Sequence, residues 1–259
     1  MTGILVLLRH GQSTWNAQNL FTGWHDVPLT PKGEQEAKAA GETLLKAGIV
    51  FDLVFTSMQI RAIETNRIAL NALGQGKVEI LQDWHLNERH YGALQGLDKK
   101  LTTAKYGAEQ TNIWRRSYDT APPPVDISSP EHPAQDSKYK EIPVENLPAS
   151  ECLKDVVNRV VPYFEANIAP ELRNNKNILI TAHGNSLRAL VMYLEKLDPM
   201  QISEFNIPTG VPRRYEFLNA TNDHSDAALV IKSVEYLGDP NEIAKATQAV
   251  ADQAKGVGH

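Results

Sequence analysis

The chain has 259 residues, 42% of them hydrophobic and 22% charged, with a formal net charge of −5 and a pI of about 5.9. That length allows one large domain or two small ones, and no break in composition argues for two. The acidic balance argues against nucleic acid or an anionic membrane as the main partner, so a polyanionic small molecule would have to be met by basic residues gathered locally.

Cys152 is the only cysteine, which excludes an intramolecular disulfide and a thiolate metal cluster. The N-terminal stretch lacks a signal-peptide pattern, and no apolar run approaches the ~18 residues of a membrane span. The expectation is a cytoplasmic protein.

In chain order, Ile4-Leu5-Val6-Leu7-Leu8 reads as a strand buried on both faces. It runs without a spacer into Arg9-His10-Gly11. Charges so placed face a cleft if the strand lies in an open parallel sheet, because clefts form outside the carboxyl ends of such strands. Gly11 permits a sharp turn and keeps a side chain away from a ligand. Ser13, Thr14 and Asn16 follow at the start of a short turn or helix, where free backbone N–H groups favour anions. Two readings fit: a histidine presented to a phosphate, or a surface turn with an incidental histidine.

A loop over 21–29 carries Thr22 and Gly23. Thr30 and Pro31 then open a helix as N-cap and first residue. Ala37, Ala40, Leu44 and Ala47 recur at helical spacing, and Gly48 closes it. A second strand is expected at 51–55, followed by a helix over 61–73 with Arg61 on its first turn, at the same sheet edge as His10. A third strand is expected at 78–81. The segment 84–96 reads as irregular and carries Glu88, Arg89, His90 and Tyr91; Lys99, Arg115 and Arg116 then bring basic charge.

Residues 117–149 have neither helical nor strand periodicity and are punctuated by prolines from Pro122 to Pro148. A loop this long is functional or disordered; it reads as a lid or subunit-contact excursion. A helix is expected over 150–172, its stripe formed by Leu153, Val156, Val160, Phe164 and Ile168, with a kink at Pro162. Cys152 beside this stripe reads as packing.

Ile178-Leu179-Ile180-Thr181-Ala182-His183-Gly184-Asn185 repeats the opening design, and a helix begins at Ser186. As parallel neighbours, the two strands would deliver His10 and His183 side by side. That repetition favours the phosphate reading of His10. Strands are expected near 215–218 and 229–236. Asp239-Pro240-Asn241-Glu242 reads as a helix start, after which Ile243, Thr247, Val250, Ala254 and Val257 form one weakly apolar face.

Arg9-His10-Gly11 with a late His183-Gly184 resembles the histidine phosphatase superfamily. Phe21-Thr22-Gly23-Trp24, Leu86-Asn87-Glu88-Arg89-His90-Tyr91-Gly92, Trp114-Arg115-Arg116 and Asn206-Ile207-Pro208-Thr209-Gly210-Val211-Pro212 narrow the resemblance to its bisphosphoglycerate-dependent phosphoglycerate mutases. It runs from residue 4 into the tail near 255. Gln12 stands where many relatives have Glu. The resemblance implies a three-layer α/β/α sandwich with a mostly parallel central sheet, forming a single catalytic domain over 1–259 with a mobile tail from about 239.

The implied activity is an isomerase of glycolysis and gluconeogenesis, interconverting 3-phosphoglycerate and 2-phosphoglycerate. The implied cofactor is 2,3-bisphosphoglycerate, with no metal. His10 would carry the phosphoryl group, Arg9, Arg61 and a protonated His183 would hold it, and Glu88 would act as acid and base. Substrate would be bound by these groups together with Ser13, Asn16, Thr22, Gly23, Arg89, Tyr91, Lys99, Arg115, Arg116, Gly184 and Asn185. The implied assembly is a homodimer or homotetramer. Two alternatives stay open: a bisphosphoglycerate synthase or phosphatase, or other histidine phosphatase, on the same site, and a non-catalytic module that binds phosphate ligands. The presence of His10, His183 and Glu88 together speaks against the last.

Overall fold

Six strands form one sheet in the order β3-β2-β4-β1-β5-β6. They are β1 (Leu5–Arg9), β2 (Leu53–Thr56), β3 (Ile80–Gln82), β4 (Ile178–Ala182), β5 (Arg213–Phe217) and β6 (Ile231–Tyr236). This is a computed structural model, and it describes residues 3–218 and 229–255. β3, β2, β4 and β1 are mutually parallel, while β5 runs antiparallel to both of its neighbours.

The helices are α1 (Thr14–Ala17), α2 (Pro31–Lys46), α3 (Ile60–Leu73), α4 (Lys99–Tyr106), α5 (Ala108–Arg116), α6 (Leu153–Tyr163), α7 (Ala169–Arg173), α8 (Gly184–Glu195), α9 (Pro199–Glu204) and α10 (Pro240–Lys255). Helices cover both faces of the sheet, which is why its central strands are unbroken apolar runs. Val6, Leu8, Val54 and Leu179 pack with Ala40 and Leu44 of α2 and Ala69 and Leu70 of α3. Leu5, Leu7, Phe55, Ile178 and Ile180 face the other way, onto Leu153, Val156 and Val160 of α6 and Leu187, Leu190 and Val191 of α8. Alternate residues of one strand thus feed two cores, and the expected three-layer sandwich is present.

Register places the site. Leu5 pairs with Ile178 and Arg9 with Ala182, so the residues that follow, His10 and His183, leave the sheet level with each other. Glycine contacts then fix the turn after His10. A Cβ on Gly11 would stand 2.2 Å from the Gly33 carbonyl oxygen, and one on Gly33 would stand 2.1 Å from that of Gln12. The two backbones touch, and only glycine fits at either position.

Several expected elements differ in detail. β3 is shorter than 78–81 and all three of its residues are exposed, as befits an edge strand. The helix expected over 150–172 is three pieces: α6, a π-helical turn at Phe164–Ile168, and α7. α6 runs as regular helix through Pro162, and the wider turn comes after it, just ahead of Pro170, which has no N–H to continue the ladder. α4 and α5 were not expected; each buries only a threonine, Thr102 and Thr111, so neither has an apolar stripe to read.

Residues 117–149 contain three short 3-10 turns. The segment seats Tyr139 and Leu147 against Trp24 in a small satellite core. In the tail, Val257 and the side chain of Ala254 lie outside the described residues.

Candidate active site

His10 is 2% exposed, and its Nδ1 lies 2.7 Å from the Gly11 carbonyl oxygen. A carbonyl can only accept, so Nδ1 carries the hydrogen and Nε2 keeps its lone pair. Burial, then the nearby Arg61 and Arg9 cations, hold the His10 pKa well below the ordinary histidine value. The imidazole is therefore neutral and nucleophilic at neutral pH. The Gly11 N–H donates to Thr65 Oγ1 (3.0 Å), and Thr65 Oγ1 donates to the Arg61 carbonyl (2.7 Å), so α3 fixes the turn. Gln12, the departure from many relatives, accepts from Thr30 Oγ1 through Oε1 at 2.9 Å, away from the ring.

The His183 ring centroid lies 5.0 Å from that of His10. Its Nε2 is 2.7 Å from Ser57 Oγ, and its Nδ1 has no partner among the described residues. Burial, Arg61 and His10 push its pKa well down. The expected imidazolium is thus not the state of the anion-free site; a bound phosphate dianion would have to raise it.

Glu88 contributes the lone carboxylate among the described residues lining the cavity. Its Oε1 accepts the N–H groups of Arg89 (2.8 Å) and Asn185 (3.1 Å), while Oε2 is left for the cavity. Arg61 donates from both terminal nitrogens to the backbone of the Thr22-Gly23 loop, to Gly23 O at 2.8 Å and His25 O at 2.9 Å. Gln59 joins these parts: its Oε1 accepts the Glu88 N–H (2.8 Å) and its Nε2 donates to Gly23 O (2.9 Å).

These groups surround one open-mouthed cavity. Arg9, His10, Asn16, Thr22, Gly23, Arg61, Glu88, Tyr91, Lys99, Arg115, Arg116, Gly184 and Asn185 all line it, as expected from the sequence. Three expected residues lie behind the wall. Ser13 accepts the Asn16 N–H as the cap of α1. Arg89 donates to the Arg115 carbonyl (2.8 Å) and stacks 4.5 Å from the Tyr91 ring centre. His183 sits beneath, beside His10.

Sequence reasoning missed Arg188, which lines the cavity from α8 and donates from Nη1 to Asn185 Oδ1 at 3.0 Å. Its signal was present: Arg188 stands one helical turn after Gly184, hence on the same face. It also missed the role of 202–207. Arg188 donates to the Ile202 carbonyl, Arg116 to Ser203 O (3.3 Å) and Asn206 Oδ1 (2.8 Å), and Arg9 to Ile207 O (2.7 Å). One stretch of backbone thus spreads three guanidinium groups.

So many cations in one place weaken each other's hold on their protons. Burial, then Arg115 and Arg9, bring Lys99 down to about 7. Burial brings Arg61 and Arg115 down to about 10 and Arg188 to about 9. Buried donors are left without partners as well, among them Arg9 Nε, Arg89 Nε and Nη1, and Arg188 Nε. Partnerless buried donors of this kind suit an anionic ligand.

The model of the histidine phosphatase superfamily (branch 1) matches residues 5–136 and 127–222. The chain belongs to the histidine phosphatase superfamily. Within it, relatives named 2,3-bisphosphoglycerate-dependent phosphoglycerate mutase, from Xylella fastidiosa strains M23 and 9a5c, are 52% and 51% identical over 255 residues, covering 98% of this chain and 99% of theirs. Solved structures share the superfamily fold at lower identity. "Mycobacterial hydrolase 1" has a TM-score of 0.66 at 22% identity, covering 90% of this chain and 95% of its own. The alpha-ribazole phosphatase from Shigella flexneri has a TM-score of 0.63 at 23% identity, covering 89% and 96%. These speak for the fold alone.

Proposed function

We propose that the chain interconverts 3-phosphoglycerate and 2-phosphoglycerate through a phosphohistidine at His10. The observation that carries this is the charge of the cavity: among the described residues, six cationic side chains, Arg9, Arg61, Lys99, Arg115, Arg116 and Arg188, stand against the single carboxylate of Glu88. Each phosphate brings about −1.5 to −2 charges at neutral pH. A phosphoglycerate with its carboxylate therefore brings roughly −3, and a bisphosphoglycerate roughly −4 to −5. The cavity suits the larger charge, and the partnerless donors of Arg9 and Arg188 fit a ligand with anionic groups at both ends. The name of the 52% identical relatives supports the same reading.

When bound, 2,3-bisphosphoglycerate supplies the phosphoryl group that primes His10. His10 Nε2 is the attacking atom, its ring held by the Gly11 carbonyl. Arg9 and Arg61, with Nδ1 of His183, hold the equatorial oxygens of the group in transit. Glu88 takes the proton from the sugar-acid hydroxyl as it attacks and returns it in the reverse direction. Lys99, Arg115, Arg116 and Arg188 hold the distal phosphate and the carboxylate, with Asn16, Thr22, Gly23, Tyr91, Gly184 and Asn185 completing the wall. Ser13 and Arg89 act through Asn16 and Arg115. The protein works in the cytoplasm as a homodimer or homotetramer on small phosphoglycerates.

An enolase-coupled assay on the purified protein, with and without added 2,3-bisphosphoglycerate, tests this. Stimulated isomerisation well above phosphate release supports it; phosphate release alone would make the protein a phosphatase on the same site.

A further inference from the structure

Glu88 lies in a segment, 85–90, with little regular structure of its own beyond the 3-10 turn at Trp84–Leu86. Its buried carbonyls must find partners elsewhere. Three of them find the same one. Arg159, on α6, donates from Nη1 to the His85 carbonyl (2.5 Å) and from Nη2 to the carbonyls of Asn87 (3.1 Å) and Glu88 (3.0 Å).

The other edge of the guanidinium meets Glu151, with Nε 2.6 Å from Oε1 and Nη2 3.0 Å from Oε2. Glu151 Oε2 also accepts the N–H of His90 at 2.8 Å. The pair therefore grips the backbone before, at and after Glu88. Arg159 and Glu151 are only 9% and 3% exposed, and neither lines the cavity.

A buried ion pair is weak evidence for stability, since an apolar pair of similar volume often does as well. What a planar guanidinium in a two-pronged pair supplies is geometry. General acid–base chemistry needs that geometry, because the carboxylate must stand within hydrogen-bond reach of the reacting hydroxyl.

We propose that Arg159, paired with Glu151, is the positioning residue for Glu88: it locks the 85–90 backbone so that the carboxylate stays presented to the cavity. This rests on the reading of Glu88 as the acid and base. Loosening the clamp slows proton transfer, while anion binding by Arg9, Lys99 and Arg115 continues.

The test is a double-variant cycle on the full chain, with orthovanadate as the probe of anion binding. Arg159→Lys keeps the charge but cannot reach three carbonyls and a carboxylate at once. Expected are a kcat lowered about tenfold or more, a KM within threefold, and vanadate inhibition within twofold. In a Glu88→Gln background the same change should cost less than threefold, because the group it positions no longer works. Glu151→Gln, which keeps shape and loses charge, should follow the same pattern and serves where Arg159→Lys does not fold. If Glu88→Gln is impaired and both clamp variants cost an equal factor in either background, or weaken vanadate in step with kcat, the pair is merely structural and the inference falls alone. If Glu88→Gln turns over near the wild-type rate, the acid–base assignment falls and takes this inference with it.

Discussion

The rings of His10 and His183 lie 5.0 Å apart and tilted by 60°, brought together from distant parts of the chain by the parallel pairing of β1 with β4. Of the two, only His10 has its Nδ1 held by a carbonyl, which leaves the lone pair on its Nε2 for the nucleophilic role proposed above. His10→Ala should therefore lower isomerisation and phosphate release together by a thousandfold or more, roughly the loss expected when a covalent nucleophile is removed. Acid-labile, alkali-stable labelling of the protein should vanish with it. Persistent turnover or labelling would assign the phosphoryl carrier to another group.

Lys99 gives a pH dependence of binding. Its pKa in the free site is about 7, lowered by burial and by Arg115 and Arg9. A bound anion favours the charged form and raises it. Below pH 7 the lysine is charged in both states and affinity is at its fullest; affinity falls as pH rises from 7 toward the pKa of the complex. Binding of 3-phosphoglycerate at pH 8 should then take up close to one proton, read by calorimetry in buffers of different ionisation enthalpy. Lys99→Arg, charged throughout, should remove the lysine's share of the uptake and leave only what His183 takes up as the phosphate raises its pKa. Equal uptake in both proteins would acquit Lys99.

Buried neutral histidines should also set the acid limit of stability. Burial holds His10 and His183 well below the usual value and takes His90 to about 4. The unfolded chain protonates these groups near pH 6.5, and the folded chain refuses the protons. Their contribution is fully present above pH 6.5 and is lost as pH falls below it, at about 1.4 kcal/mol per pH unit for each histidine. Urea midpoints at pH 7 and pH 5 should differ accordingly. Equal midpoints would mean that the three rings protonate freely in the folded protein.

How much of this was legible in the sequence depends on whether position came from pattern or from packing. β1 and β4 announced themselves because strands buried on both faces are continuous aliphatic runs, and their His-Gly ends marked the site. Thr30 and Pro31 marked the start of α2, and Asp239 caps α10 as expected through the N–H groups of Asn241 and Glu242. Arg159 and Gln59 were invisible: they act by meeting backbone carbonyls and N–H groups far away in sequence, and no spacing encodes that. Helices α4 and α5 cover the site rather than pack a core, so they carry no apolar period. Their basic residues were legible only through the family resemblance.

Arg115 and Arg116 should affect binding more than chemistry. Both line the cavity, and Ser203 O and Asn206 Oδ1 hold Arg116 from the side of α9. Loss of a charged hydrogen bond to an anion costs about 1.5–3 kcal/mol. Arg115→Ala or Arg116→Ala should thus raise KM for phosphoglycerate about tenfold or more, with a smaller effect on the rate of His10 phosphorylation. An unchanged KM in both variants would return these residues to a solvated face.

The tail should decide whether the phosphoryl group meets water. Asp239 caps α10, and Val250 reaches the wall of the catalytic cavity. Between α10 and α2 a cleft remains, lined by Ala39 and Thr43 on one side and Ile243, Ala246 and Ala249 on the other. Apart from Ile243 these residues are small and bury little apolar surface, so the expectation is a weakly held helix that lifts at small cost when ligand exchanges. A docked α10 that narrowed the path of water to His10 would protect the phosphohistidine, which is short-lived when water reaches it. Truncation after Gly238 should therefore depress isomerisation while hydrolysis of the phosphoenzyme holds or rises, lowering the ratio of the two about tenfold. That ratio is measured by following 2-phosphoglycerate and inorganic phosphate in the same reaction. A truncated protein that keeps the full-length ratio would show that α10 does not guard the site.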